Sequence, residues 1–502
     1  MKKSISKNNQ IIFVTPPYER VAAGYEFIKH VTNRSPSLGL LYLAAVAREA
    51  GYQASIIESD IENLNPQQVA ERIIREKPAF VGITLFTVGV WQAAEVARLC
   101  KAEHPECKII VGGPHISSMG METMQRFPEF DIAVIHEGEE VLPELLKQLE
   151  SNNDLIDVKG IIFRNHKEIL KTPPASSIKE LDSLPMPAWD LLPDFPDAYL
   201  PAIFDYPRGP VATMVASRGC PFLCKFCDTS TFGAQVRANS PQTVFNMMQH
   251  LQQEFGIQHI QFVDDLFLAS RIRTLELCDL IIENNLQISW GCTARVDTVK
   301  PDVLKRMKQA GCWEISFGLE TGSNELLQKM EKAARIEVSE QAVNWTAEAG
   351  IRCKGLFMLG YPGETRDSIK KTKAFIKRLP MSTMNLSKFT PYPGSPIYRE
   401  LYGTNIKDDH WQKMNGMNFI WAPEGFTVEE LDTEYQSILR AFFQRMKVGH
   451  SYIFIGLKYP KHFTRLYRFL TGYAQAKLRS YLGGRRGILM RNTQQDTSGP
   501  VN

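Results

Sequence analysis

Cys220, Cys224 and Cys227 stand in a C-x3-C-x2-C run within Ser217-Arg-Gly-Cys-Pro-Phe-Leu-Cys-Lys-Phe-Cys-Asp228, directly after the apolar stretch 211–216. Three thiols this close, on a loop carrying Gly219 and Pro221, cannot all be bridged to one another, but their thiolates can face one small inorganic cluster. A cubane [4Fe–4S] cluster takes four ligands and cysteine is its usual protein donor, so three cysteines leave one iron open to a small molecule. A zinc site would need a fourth protein ligand, normally from a second C-x2-C pair or a mixed Cys/His set. Only His250 and His259 follow at moderate distance, and both fall in helix-like or strand-like sequence.

With the aromatic Phe226 before the last cysteine, the run resembles the C-x3-C-x-Φ-C signature of the radical S-adenosylmethionine (SAM) enzymes. The resemblance implies that the SAM amino and carboxylate groups chelate the open iron. An electron from the cluster would then cleave SAM to a 5′-deoxyadenosyl radical, which abstracts hydrogen from an unactivated C–H bond. A buried or zinc-binding cysteine group is the alternative.

The elements around the run must hold it at a strand end. Strand patterns fall at 211–216, 257–263, 287–293, 313–318, 351–359 and 383–389, and helix patterns at 241–255, 271–285, 301–310, 337–349 and 365–378. This rhythm fits a partial (β/α)6 barrel, and barrels place catalysis at the carboxyl ends of their strands. Candidate residues occur there in succession. Asp264 and Asp265 follow the second strand and, being adjacent, point to opposite faces, so one can meet a ligand while the other caps the next helix. Arg295 ends the third strand, within reach of a carboxylate. By resemblance, Glu320 contacts the SAM ribose or amino group, and the segment 357–364, with Gly360 and Glu364, runs along the adenine. For Asp265 and Glu364, helix capping is the competing role. Phe226, Asp264, Arg295, Glu320, Gly360 and Glu364 are thus the expected SAM contacts.

Residues 8–160 alternate strands at 11–14, 54–58, 79–84, 108–111 and 131–135 with helices at 39–50, 66–76 and 91–104. That pattern means a parallel, doubly wound, Rossmann-like sheet, which binds ligands outside its carboxyl strand ends. No G-x-G-x-x-G follows the first strand, so a dinucleotide site is not expected. The stretch Ser35-Pro-Ser-Leu-Gly-Leu-Leu-Tyr-Leu-Ala44, Gly112-Gly113 and Glu137-Gly-Glu139 resemble the cobalamin-binding domain that precedes many radical SAM barrels. The implied cobalamin contacts are Thr15, Thr84, Gly112, Gly113, Glu137 and Gly138. The D-x-H-x-x-G motif that supplies a lower histidine to cobalt is missing, so His115 and His136 read as loop hydrogen-bonders. A flavodoxin-like scaffold without ligand is the alternative. A methylthiotransferase would need a second cysteine triad here, where only Cys100 and Cys107 occur.

A proline-rich connector spans 161–210, with Trp189 and Asp190 expected to pin it to the barrel, which runs over 211–425. Cys278, Cys292, Cys312 and Cys353 lie in apolar patterns and read as core residues. A helical basic region covers 426–490 and a disordered tail 491–502. Residues 427–449 read as an amphipathic helix that covers the open side of the barrel. No acidic residue lies between Glu434 and Asp496, while twelve Lys and Arg do. Interleaved with aromatics, that charge suits either an anionic membrane surface, through 450–490, or an ordinary packed helical cap. Nucleic acid is not expected, since no recognition motif accompanies the charge.

The 502 residues allow two to four domains, and nine cysteines without a secretory leader point to a reducing cytoplasm, with membrane association left open. No apolar run reaches the roughly 18 residues of a spanning helix. The reading is an α/β protein acting as a cobalamin-dependent radical SAM enzyme. Its cofactors would be a [4Fe–4S] cluster, SAM and cobalamin, with an electron donor such as flavodoxin or ferredoxin. It would methylate an unactivated carbon of a large or hydrophobic small-molecule or lipid substrate. Oxidative cyclisation or ring rearrangement without methyl transfer, as in anaerobic magnesium-protoporphyrin cyclase relatives, is the second reading. A non-enzymatic cobalamin or redox sensor is the third.

Overall fold

The computed structural model describes residues 9–17, 31–403, 408–444, 453 and 455–475. The first sheet contains β1 (Gln10–Thr15), β2 (Gln53–Glu58), β3 (Phe80–Thr84), β4 (Lys108–Gly112), β5 (Ile132–Val134), β6 (Ile161–Asn165) and β7 (Glu168–Lys171). Its order is β2-β1-β3-β4-β5-β6-β7, with β1 to β5 parallel. Helices cover both faces, so the strands are continuous apolar runs, such as the fully buried Ile11-Ile-Phe-Val14. The order reverses between β1 and β3, which opens a crevice beyond their carboxyl ends.

The sheet runs past the expected boundary at residue 160. β6 and β7 form an antiparallel hairpin added to β5, so residues 161–171 belong to this domain and the connector starts after them. The turn places His166 at φ 55, and Ile161, Ile162 and Phe163 are buried. Two helices not foreseen from the sequence, Pro114–Arg126 and Val141–Glu150, follow β4 and β5.

The second sheet contains β8 (Val211–Met214), β11 (His259–Phe262), β12 (Ser289–Ala294), β13 (Cys312–Glu320), β14 (Arg352–Leu359) and β15 (Thr383–Lys388). All are parallel, in the order β15-β14-β13-β12-β11-β8, as a six-unit partial barrel requires. Two short strands, β9 (Ser217–Arg218) and β10 (Arg237–Ala238), pair antiparallel on either side of the cysteine loop. Cys278, Cys292, Cys312 and Cys353 are buried in the core.

The connector is pinned to both domains rather than to the barrel alone. Trp189 is buried 6.3 Å from the His250 ring of helix Pro241–Phe255, but Asp190 pairs with Arg48 of the first domain at 2.8 Å. Helix Val428–Phe443 closes the exposed edge at β15, where Tyr435 Oη donates to the Leu386 carbonyl (3.1 Å) and Asp432 pairs with Lys388. The expected continuation of that helix to 449, residues 476–490 and the tail 491–502 lie outside the described residues. Among the described residues no helix is long and apolar enough to cross a membrane.

Candidate functional site

The cysteine loop leaves β8 and is held by the two aspartates after β11. Asp264 accepts from the Ala216 N–H (3.1 and 3.2 Å) and the Ser217 hydroxyl (2.6 Å), and Asp265 accepts from the Gly219 N–H (3.0 Å). Neither caps the following helix, because Ser270 does so, accepting from the Arg273 N–H. Burial raises the Asp264 pKa to about 6, against the pull of the Ser217 and Ala216 hydrogen bonds. Gly219 sits at φ +86, and a Cβ there would stand 2.3 Å from the Gln235 carbonyl oxygen. The loop is therefore sterically set before the first cysteine.

A cavity of about 1180 Å³ lies between the carboxyl strand ends of the two domains. All three cysteines line it, with Phe226, Arg295 and Glu320 from the barrel. From the first domain it receives Thr84, Gly112, Gly113, Glu137 and Gly138. Thr15, Asp264, Gly360 and Glu364 do not line it. Thr15 is buried at the end of β1, and Glu364 accepts from the Gly360 N–H (3.3 Å) and from the Ser368 hydroxyl.

Glu320 adopts φ 62 where the β13–β14 register shifts, which turns its carboxylate onto Lys332 at 2.6 Å. Burial would lower the Lys332 pKa, but Glu320 more than offsets it. Gly318 makes room, since a Cβ there would be 2.6 Å from Glu320 Oε1 and 2.7 Å from Lys332 Nζ. The Lys332 ammonium lies 5.5 Å from the Phe226 ring. Arg295 forks onto Asp297 (3.0 and 2.9 Å), donates to the Lys332 and Ala333 carbonyls, and lies 3.4 Å over the Phe222 ring.

A buried ion-pair network joins the domains beside the cysteines. Arg218 reaches Glu137 at 2.7 Å and Glu139 at 2.6 Å, and Arg237 reaches Glu137 at 2.6 Å. Burial alone would lower the Arg218 pKa, and the two glutamates raise it above its ordinary value. The sequence reading missed Arg218, Arg237 and Lys332. Arg218 was detectable only by its place two residues before the triad, and Lys332 is brought in by tertiary contact.

Both ring nitrogens of His115 lie 3.0 Å from hydroxyls, of Thr87 and Thr123, and burial lowers its pKa to about 3. His136, at φ 67, donates from Nδ1 to the Ser230 carbonyl at 2.6 Å, across the domain boundary.

The donor set suits an iron–sulfur cluster. In a cubane each cysteine binds a different iron, so the thiols need not meet at one point, and among the described residues no three His, Cys, Asp or Glu side chains converge as a single-ion site. The crevice beyond the first sheet also suits a large ligand. The cavity exceeds the roughly 300–1,000 Å³ of ordinary small-molecule sites. Gly113 is tucked at φ +98 against Thr84 and Leu85, where a Cβ would be 2.9 Å from Thr84 Oγ1.

A doubly wound domain facing a partial barrel with three thiols at its mouth defines a class of enzymes with two facing cofactor-binding domains. The chain matches the B12 binding domain over residues 27–146 and the Radical SAM superfamily over residues 214–376. An uncharacterized methyltransferase of Pyrococcus horikoshii is 31% identical over 442 residues, covering 88% of this chain and 93% of that protein. The anaerobic magnesium-protoporphyrin IX monomethyl ester cyclase of Cereibacter sphaeroides is 27% identical, covering 94% and 76%. The radical SAM methyltransferase TsrM of Kitasatospora setae, solved with cobalamin and a [4Fe–4S] cluster, shares the fold with a TM-score of 0.64 at 17% identity, covering 79% and 75%. The chain belongs to the radical SAM enzymes that carry an N-terminal B12-binding domain, and their cofactors are a [4Fe–4S] cluster, SAM and cobalamin.

Proposed function

We propose that this protein methylates an unactivated carbon of a large or hydrophobic substrate. The observation that carries the reading is one continuous cavity in which the cysteine loop of the barrel faces the glycine-lined strand ends of the B12-binding domain. When bound, the cluster and SAM supply a hydrogen-abstracting 5′-deoxyadenosyl radical, and cobalamin supplies a transferable methyl group.

The side chains give that chemistry its geometry. Cys220, Cys224 and Cys227 hold the cluster, and Asp264 and Asp265 fix the loop that presents them. Phe226, Arg295 and Glu320 face SAM, with Lys332 holding the Glu320 carboxylate in place. Gly112, Gly113 and Gly138 would give the cobalamin a wall of strand-end backbone, the space of a Gly113 or Gly138 side chain being taken by Thr84, Leu85 and Leu43. Thr84 would offer a hydroxyl beside them, and Glu137 would serve through its pairs with Arg218 and Arg237. Both His115 nitrogens are already engaged, so His115 is not assigned to cobalt. The cavity lining is mainly apolar, with Phe86, Val263, Tyr392 and Met417 exposed along it, which supports a hydrophobic substrate. The working compartment is the cytoplasm, with reducing equivalents from a flavodoxin or ferredoxin.

Methyl-labelled SAM given to the reconstituted protein tests this: label must reach the product, together with deoxyadenosine. The cyclase relative, matched over 94% of this chain, favours one other reading, oxidative cyclisation with the same cofactors. Deoxyadenosine without labelled product would select it, and neither product would reject both.

A further inference from the structure

The basic tail is docked on one side and bare on the other. Residues 461–475 are helical. His462 is buried, its Nδ1 accepting from the Phe204 N–H (3.4 Å) and its Nε2 donating to the Tyr206 carbonyl (3.1 Å). Arg465, on the same side, donates to the Pro201 carbonyl (2.9 Å), the Tyr206 hydroxyl (3.0 Å) and the Thr32 carbonyl (3.3 Å). These contacts fix how the helix is rotated about its axis.

Its outer face carries Phe463, Tyr467 and Leu470, spaced i, i+4, i+7 and so on one side, with exposures of 39%, 68% and 51%. The Phe463 ring lies on Gly456, where a Cβ would be 2.5 Å away, which places the stripe beside Leu457, 70% exposed. An aligned apolar stripe of this kind, on a helix already anchored by its other side, differs from scattered exposed residues. Lys458, Lys461 and Arg468 are also exposed; at 3.6 residues per turn Arg468 stands about 100° round the helix from Tyr467, and Lys461 lies on the side away from the stripe. The sequence beyond adds Lys477, Arg479, Arg485, Arg486 and Arg491 before the first acidic residue, Asp496.

We propose that this face seats on an anionic phospholipid surface, with Phe463, Tyr467, Leu470 and Leu457 entering the headgroup boundary and with Lys458 and Arg468, at its margins, reaching lipid phosphates. Charge selects the occupant. A neutral protein surface would match the apolar stripe but leave the cations unanswered, whereas an anionic membrane answers both. Thr32, whose carbonyl Arg465 holds, also lines the cavity, so the docked helix lies next to one wall of the site.

The test is co-sedimentation of the full-length protein with vesicles of equimolar phosphatidylglycerol and phosphatidylcholine, and with phosphatidylcholine alone. Wild type is expected to pellet with the first and stay largely soluble with the second. A Tyr467→Glu/Leu470→Glu double variant is expected to lose on the order of tenfold in partitioning. It should form deoxyadenosine in vesicle-free solution at the wild-type rate, which keeps a folding defect, or a failure of the proposed chemistry, separate from a failure to bind lipid. Wild type remaining in the supernatant with anionic vesicles would overturn the proposal, as would equal pelleting of the double variant. So would a wild-type dimer in sedimentation velocity that the double variant dissolves without any vesicle binding, since the face would then belong to a second copy.

Discussion

Arg218 and Glu137 come from different domains and meet at 2.7 Å, with both side chains almost entirely buried, two residues before the first cysteine of the cluster loop. The guanidinium also takes Glu139, and its far neighbour Arg237 shares Glu137, so two cations and two carboxylates neutralise one another at the domain junction. The same residues set the position of the cysteine loop and the wall of the B12-binding domain.

Breaking that junction should be costly. Arg218→Ala leaves two buried carboxylates short of a partner, an effect of about 3–5 kcal/mol, read as a lower denaturant midpoint together with weaker cobalamin retention. Arg218→Lys keeps the charge but not the two-pronged geometry and should recover only part. Wild-type stability in Arg218→Ala would remove the network from the account.

Gly219 and Gly233 make an internal comparison, both at positive φ in the same loop. Gly219→Ala drives a methyl against the Gln235 carbonyl, while a Cβ at Gly233 meets nothing within 4 Å. Gly233→Ala should cost only the backbone term of roughly 1–2 kcal/mol. Gly219→Ala should in addition displace the loop, so that iron per chain falls while cobalamin binding persists. Equal iron contents in the two variants would contradict the steric argument.

Glu320→Gln leaves the buried Lys332 ammonium without its carboxylate. SAM affinity should fall about 10- to 100-fold, the size of a lost charge-assisted bond. Iron content should stay unchanged, since neither residue is a cluster ligand. Equilibrium binding of SAM to the reconstituted protein measures it, and an unaltered affinity would place Glu320 outside the SAM contacts.

His462 gives the tail a pH dependence. Burial first, and then Arg465, lower its pKa to about 4, below the ordinary value of 6.5. A depressed histidine pKa means that the folded state favours the neutral ring. Its contribution is complete above pH 6.5 and is lost as pH falls from 6.5 toward 4. The protection factors of residues 461–475 against hydrogen exchange, taken relative to the intrinsic rate at each pH, should fall over that window, and His462→Asn should flatten the response. Protection that stays constant down to pH 4 would refute it.

Much of this protein was legible in its sequence because the signals are local. The cysteine spacing is a property of eight consecutive residues, 220–227, and the strand and helix periods of the barrel follow from short-range alternation, so β14, read at 351–359, spans Arg352–Leu359. The resemblance of Gly112-Gly113 and Glu137-Gly138 to the B12-binding pattern placed those residues, and all four line the cavity. Tertiary structure decided which strand-end residues face the cavity and which hold the loops behind it. Asp264 and Glu364 carry the right chemistry at the right strand ends, yet a shift of one residue along an extended chain turns a side chain to the opposite face, and both bind backbone or hydroxyl groups instead. The Glu320–Lys332 pair depends on a register shift in the sheet, and the Arg218–Glu137 pair joins positions 81 residues apart. The first arises from the packing of the barrel sheet and the second from the closure of two domains on one another, and no local pattern encodes either.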